Sequence, residues 1–202
     1  MYTLYYAQGA CSLATQIVLH ELNQTVKIIN KNNVADFDAV NPVGTIPVLV
    51  DNNKRLTEGA AIMLYLLNKH ENSLFPKNRE EQQKAIENIM FANATMHPAY
   101  STLFFIAQNI HDESAKREAF NAAATSINNL WQVVESELAT KEVAGNDYIT
   151  AAEIMLSVYA TWGQYFPVVL IFGERTSKMI TAVQSMPSFK KAVQAEQVDS
   201  AR

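Results

Sequence analysis

The chain has 202 residues, 49% of them hydrophobic, which is enough for one large domain or two small ones around a sizeable core. Sixteen basic against 20 acidic residues give a net charge of -4, which argues against a nucleic-acid footprint. A single cysteine cannot close an internal disulfide and no basic, apolar leader precedes the first strand-like run, so the expected location is the cytoplasm.

The first element in chain order is a strand over residues 2–6, followed by a small-residue turn over 7–10 and an amphipathic helix that opens at Cys11 and Ser12. A helix start carries unpaired backbone N–H groups and the positive end of the macrodipole, which favour a thiolate, and Ser12 adds a hydroxyl donor beside it. The other reading of Cys11 is a buried structural cysteine acting as a small hydrophobe. Residues 17–22 continue at helical spacing, and 26–29 read as a second strand.

In Asn41-Pro42-Val43-Gly44-Thr45-Ile46-Pro47-Val48-Leu49-Val50 a turn runs through Ile46 and Pro47 into a β-branched strand. Pro47 is either a cis proline that turns the preceding backbone outward or a trans proline opening an edge strand. In Leu56-Thr57-Glu58-Gly59-Ala60-Ala61-Ile62 a strand end passes into a helix at spacing 60–67. Glu58 complements the dipole there, as a plain first-turn acid or as a ligand contact, and Gly59 leaves backbone N–H groups uncovered for an anion. These alternations predict a small α/β unit over residues 1–75.

Residues 71–78 lack a period and read as a linker, and from residue 79 to 202 only helical periods occur, punctuated at His111, at Gly145 to Asp147, at Gly173 and at Pro187. The expectation is an all-helical second domain of about five helices. Within it, Pro98 follows His97 and removes a helical N–H, so the helix should kink there and open a cleft between the domains. By its residue type alone, His97 is more often solvated or structural than a ligand contact. Residues 154–173 carry no formal charge and have the length of a membrane span, yet Pro167 breaks the run, so a buried core helix ending near Phe166 is the better account. Before it, Thr150 and Glu153 form a capping box with Ile149 and Ile154 as a hydrophobic staple. The histidines His20, His70, His97 and His111 have no ligand spacing, so no metal is expected. Phe104, Phe105, Met155, Trp162, Tyr165 and Phe166 supply either core or the wall of a site for flat apolar compounds.

The order of these features resembles the cytosolic glutathione transferases, and Tyr5-Tyr6-Ala7-Gln8-Gly9-Ala10-Cys11-Ser12-Leu13 is similar to the start of their bacterial beta class. The capping box and Met186-Pro187-Ser188-Phe189-Lys190-Lys191-Ala192-Val193 extend the resemblance to nearly the whole chain. It implies an N-terminal thioredoxin-like domain and a C-terminal helical-bundle domain. It further implies a soluble homodimer with a role in detoxification, glutathione as co-substrate and a hydrophobic electrophile as its partner, with no nucleic acid, membrane or metal involved. By the same resemblance, Ile46 before Pro47 pairs its backbone with the cysteinyl part of glutathione. Glu58, at the start of that family's third helix, holds the γ-glutamyl amino end, and Gly59 keeps only the backbone donor where many members have serine. Cys11 lies against the glutathione sulfur, where a mixed disulfide and thiol-disulfide exchange are open to it, with another glutathione needed for release. His97 faces the glutathione site, and Tyr6 resembles the tyrosine that activates the thiol in other classes, although in the beta class it is displaced from the sulfur.

The sequence departs from that pattern around His97. Pro98 replaces a lysine, Met90 an asparagine and Ala94 a serine, while Asn93 offers a donor from a different face. The implied activity is conjugation of the glutathione thiolate to hydrophobic electrophiles, with Cys11, Ser12, His97 and Tyr6 as catalytic candidates. The alternative is a non-catalytic module of the same fold that binds a protein partner.

Overall fold

A computed structural model describes residues 1–143 and 149–200. The chain begins β1 (Tyr2–Tyr6), α1 (Ser12–Glu21), β2 (Val26–Asn30), and the α1 crossover lays β2 parallel to β1 with Tyr2 opposite Val26 and Leu4 opposite Ile28. β3 (Val48–Asp51) returns antiparallel on the other side of β1, and β4 (Lys54–Leu56) completes the order β2-β1-β3-β4. The strand period of two puts Tyr2, Leu4 and Tyr6 on the buried face of β1. Against that sheet pack α1 and α2 (Gly59–Lys69), whose Ile17, Val18, Ile62, Met63 and Leu66 are buried. Between β2 and β3 the described chain forms only a short 3-10 turn, Lys31–Asn33, so Gly59 opens the second α-helix of this chain.

The helical part comprises α3 (Arg79–Met90), a π-helical segment (Phe91–Met96), α4 (His97–Asn109), α5 (Glu113–Val143), α6 (Ala151–Ala160), α7 (Glu174–Ser185) and α8 (Pro187–Ser200). Because the π segment joins α3 to α4, the described residues trace five helical spans after residue 78, as the periodicity predicts. The expected breaks at His111, Gly173 and Pro187 coincide with helix boundaries, while Gly145 to Asp147 lie outside the described residues.

α6 is buried from Ala151 to Tyr159, which is why its sequence carries so little charge. The Thr150 N–H donates to Glu153 Oε2 at 2.7 Å, and Lys141 pairs with the same carboxylate at 2.7 Å, so the one acid in the helix is satisfied where it is buried. After Ala160 the chain tightens into a 3-10 turn, Thr161–Tyr165, and leaves helix at Phe166. No helix among the described residues is long and apolar enough to cross a membrane. One hydrophobic cluster runs from Leu4 and Ile17 through Met96 and Tyr100 to Trp131 and Ile154, so sheet and bundle share a core.

Candidate functional site

β1 delivers the chain to a turn in which Ala10 N donates to the Ala7 carbonyl at 3.1 Å and Gly9 adopts φ +67°. That left-handed conformation is open to glycine at little steric cost. The turn is held from the helical part on both sides of its backbone: Glu196 Oε2 accepts from Gly9 N at 2.8 Å, and Trp162 Nε1 donates to Gly9 O at 2.8 Å. Cys11 follows as the N-cap of α1 and donates its thiol to the Ile46 carbonyl at 3.5 Å.

The expected thiolate is not what this environment favours. Burial raises the Cys11 thiol to about 11, and the backbone N–H groups of Cys11 and Ser12 offset only part of that. Desolvation outweighs the helix terminus, so the thiol is protonated at neutral pH.

Two of the expected catalytic residues are turned away. Tyr6 is fully buried and donates to Asp199 Oδ2 at 2.8 Å on α8. Ser12 is also fully buried, and its hydroxyl donates back to the Ala7 carbonyl at 3.4 Å, inside the turn. Both side chains hold the turn in place and neither lines the cavity beside Cys11.

That cavity, of about 300 Å³, collects the remaining candidates Cys11, Ile46, Pro47, Glu58, Gly59 and His97, a size at the low end for small-ligand sites. The Ile46-Pro47 peptide is cis. Buried Asn41 orders the loop before it, donating to Thr45 O at 2.8 Å while its own side-chain oxygen accepts from Val43 N at 3.2 Å. Glu58 is exposed at the mouth with φ 67° and ψ 113°, an unusual backbone for a residue other than glycine, of the kind that clusters at ligand sites. From it α2 starts at Gly59 with its first N–H groups toward the cavity side.

The helix opposite differs from the expectation. The kink is a π segment lying before Pro98, in which His97 N donates to the Ala92 carbonyl five residues back, so the helix accommodates the missing proline donor by widening. Asn93, expected on another face, lines the same cavity as His97, and its Oδ1 lies 3.0 Å from where a Cβ on Gly59 would stand. Gly59 and Asn93 therefore share one space. The His97 ring meets Tyr159 and Trp162 edge-on, each with centroids 5.3 Å apart, and burial lowers its pKa, leaving it neutral at pH 7.

Of the apolar candidates, Met155 lines the cavity. Trp162 extends an aromatic wall to Phe104 at 6.0 Å and on to Phe166 at 4.7 Å, while Phe105 and Tyr165 are exposed. Tyr159, which sequence reasoning did not single out, also lines the cavity. A tyrosine within a uniformly apolar helix carries no signal that separates it from core. No group of His, Cys, Asp and Glu among the described residues could hold a metal ion.

Comparison with known proteins agrees with this geometry. Residues 12–74 match the family model described as glutathione S-transferase, N-terminal domain. Glutathione S-transferase GST-4.5 of Xanthomonas campestris is 28% identical over 165 residues, covering 79% of this chain and 81% of that one. A sphingomonad glutathione S-transferase solved in complex with glutathione superposes with a TM-score of 0.83 at 27% identity, over 97% of this chain and 99% of its own. A bacterial beta class glutathione S-transferase of Sphingomonas chungbukensis does so with a TM-score of 0.80 at 26% identity, over 96% and 98%. With the thioredoxin-like sheet, the cis proline beside the cysteine and the helical bundle all in place, the chain has the fold of the glutathione S-transferases and matches their N-terminal domain over residues 12–74.

Proposed function

We propose that the protein is a glutathione transferase that binds glutathione in the cavity between α1, α2 and the π segment and adds its sulfur to hydrophobic electrophiles. The observation that carries this reading is the convergence of Cys11, Ile46, Pro47, Glu58, Gly59 and His97 on one cavity from four separate stretches of chain. Three of them offer groups that match parts of the tripeptide. The Ile46 backbone beside the cis proline suits the cysteinyl amide, and the Glu58 carboxylate suits the γ-glutamyl ammonium. The N-terminus of α2 at Gly59 suits the neighbouring carboxylate, with the Asn93 carboxamide adding a donor where serine is absent. The aromatic rings that run from His97, in the cavity lining, through Trp162 to Phe104 offer the electrophile an apolar surface.

In the reaction the bound thiol gives its proton to solvent and the sulfur forms a bond to the electrophilic carbon, whose leaving group departs or whose acceptor atom is protonated. Cys11, kept protonated by burial, acts beside the sulfur as a thiol donor. Thiol-disulfide exchange through Cys11 needs its thiolate and is the slower chemistry there. A cytoplasmic homodimer is the setting that the family resemblance suggests.

The partner-binding alternative drew on lost contacts at Gly59, Ala94 and Pro98. The position of Asn93 and relatives named as transferases favour the catalytic reading. Calorimetric titration with glutathione, followed by a conjugation assay with a chlorodinitrobenzene-type electrophile on the same sample, tests it. Binding with turnover is the expected result, and no binding at millimolar glutathione would sink the proposal.

A further inference from the structure

Hydroxyl groups near Cys11 are mostly engaged. Tyr6 donates to Asp199 at 2.8 Å, Ser12 donates to Ala7 O at 3.4 Å, and Thr45 Oγ1 accepts from Asn41 at 3.3 Å. Tyr159 is different. The residue is 1% exposed, it lines the cavity with Cys11, and among the described residues no group is hydrogen-bonded to its hydroxyl. A phenol that lines a cavity and is not engaged by the protein is left to donate its hydrogen bond to whatever occupies that cavity.

The ring cannot easily turn the hydroxyl elsewhere, because it lies with its centroid 4.7 Å from Trp162 and 5.3 Å from His97. Burial, and after it the neighbouring Cys11, hold the phenol well above its ordinary range, so it keeps its proton and acts as a donor. Thr15, one helical turn beyond Cys11, also lines the cavity, but an aliphatic alcohol is a weaker donor than a phenol.

We propose that Tyr159 is a catalytic residue of the conjugation, its O–H donating to the sulfur of bound glutathione. This rests on the glutathione-binding reading above and assigns the thiol-stabilising role to α6 in place of the engaged Tyr6. On binding, the glutathione S–H bond breaks, the proton passes to solvent, and the electron pair left on sulfur accepts the Tyr159 hydrogen bond. The tyrosine keeps its own proton throughout, so no further acid or base is required.

Tyr159→Phe tests the proposal because it keeps the ring packing and removes only the hydroxyl. The thiolate absorbance of enzyme-bound glutathione, measured against bound S-methylglutathione and titrated with pH, reads the ligand sulfur alone. The expected result is an apparent thiol pKa about one unit higher in the variant, with kcat down about tenfold below that pKa and KM for glutathione changed less than about twofold. The thermal midpoint should stay level, since the hydroxyl bonds to no protein group; a merely structural role would lower it and leave the thiol unmoved. Equal thiol pKa values in the two proteins would overturn the proposal while glutathione binding stood. Absence of glutathione binding in the unsubstituted protein is seen before any variant is made, and it overturns the parent reading together with this one.

Discussion

At Cys11 two opposing effects act on one proton. The start of α1 offers N–H groups that favour the anion, while the surrounding protein removes the water that would solvate it, and the thiol ends at about 11. At pH 7 that leaves about one molecule in ten thousand as thiolate, against about three in a hundred for a free cysteine. Alkylation of the ligand-free protein by iodoacetamide should therefore be slow at pH 7 and still rising above pH 9.5, followed by intact mass; a plateau near pH 8 would contradict the burial argument. The local motifs around this residue were readable in advance. Ile46-Pro47, Glu58 and Gly59 each sit where a strand or helix begins, so their place in the site follows from nearest neighbours in sequence. Asn93 and Tyr159 were not readable, because only packing against Gly59 on one side and against His97 and Trp162 on the other brings them to the cavity. The same holds for Tyr6, whose hydroxyl partner Asp199 lies 193 positions away.

Among the elements, α8 has the most to do with the site without entering it. Its Glu196 is 2% exposed, and burial raises the carboxyl to about 7 although the Gly9 N–H bond opposes the shift. The folded protein thus holds this proton more tightly than the unfolded chain, whose glutamate titrates near about 4.3. Stability from this group is greatest at low pH and falls as pH rises from about 4.3 through about 7. Glu196→Gln keeps an oxygen for Gly9 N–H and cannot ionise, so it should gain on the unsubstituted protein across that window, by on the order of 2 kcal/mol. Urea midpoints between pH 5 and pH 8 measure the difference, and parallel pH profiles would show that Glu196 does not titrate as its burial suggests. Near α8, Asp199 is the other acid and is bonded to Tyr6, while Lys191 lies close enough to His20 to help lower its pKa after burial does. The helix boundaries themselves were legible from proline, glycine and capping residues, whereas the π segment was not. The sequence marks Pro98 as a disturbance without saying whether the helix bends or widens.

For the whole molecule, the sheet and the bundle behave as one body because they share a hydrophobic cluster and because hydrogen bonds cross between them at Gly9 and Tyr6. Trp131 is buried between α4 and α5, donating to Tyr100 at 2.9 Å, and Trp162 donates to Gly9 in the sheet part. Tryptophan fluorescence should therefore lose its native signal at the same urea concentration as the far-ultraviolet circular dichroism, to within about 0.2 M. Two separated transitions would mean that the parts unfold independently. The two-part composition of the chain is plain in its hydrophobic periods, but the coupling of the parts is carried by contacts between its beginning and its far end. Those contacts also set an order of events during synthesis. The sheet, the cis proline and α2 are made long before Glu196 and Asp199, so the turn that carries Cys11 lacks the α8 half of its clamp until the last helix has been made. A nascent chain that stops short of that helix has neither the Glu196 bond to Gly9 nor the Asp199 bond to Tyr6, so the complete set of contacts behind its single thiol belongs only to the finished chain.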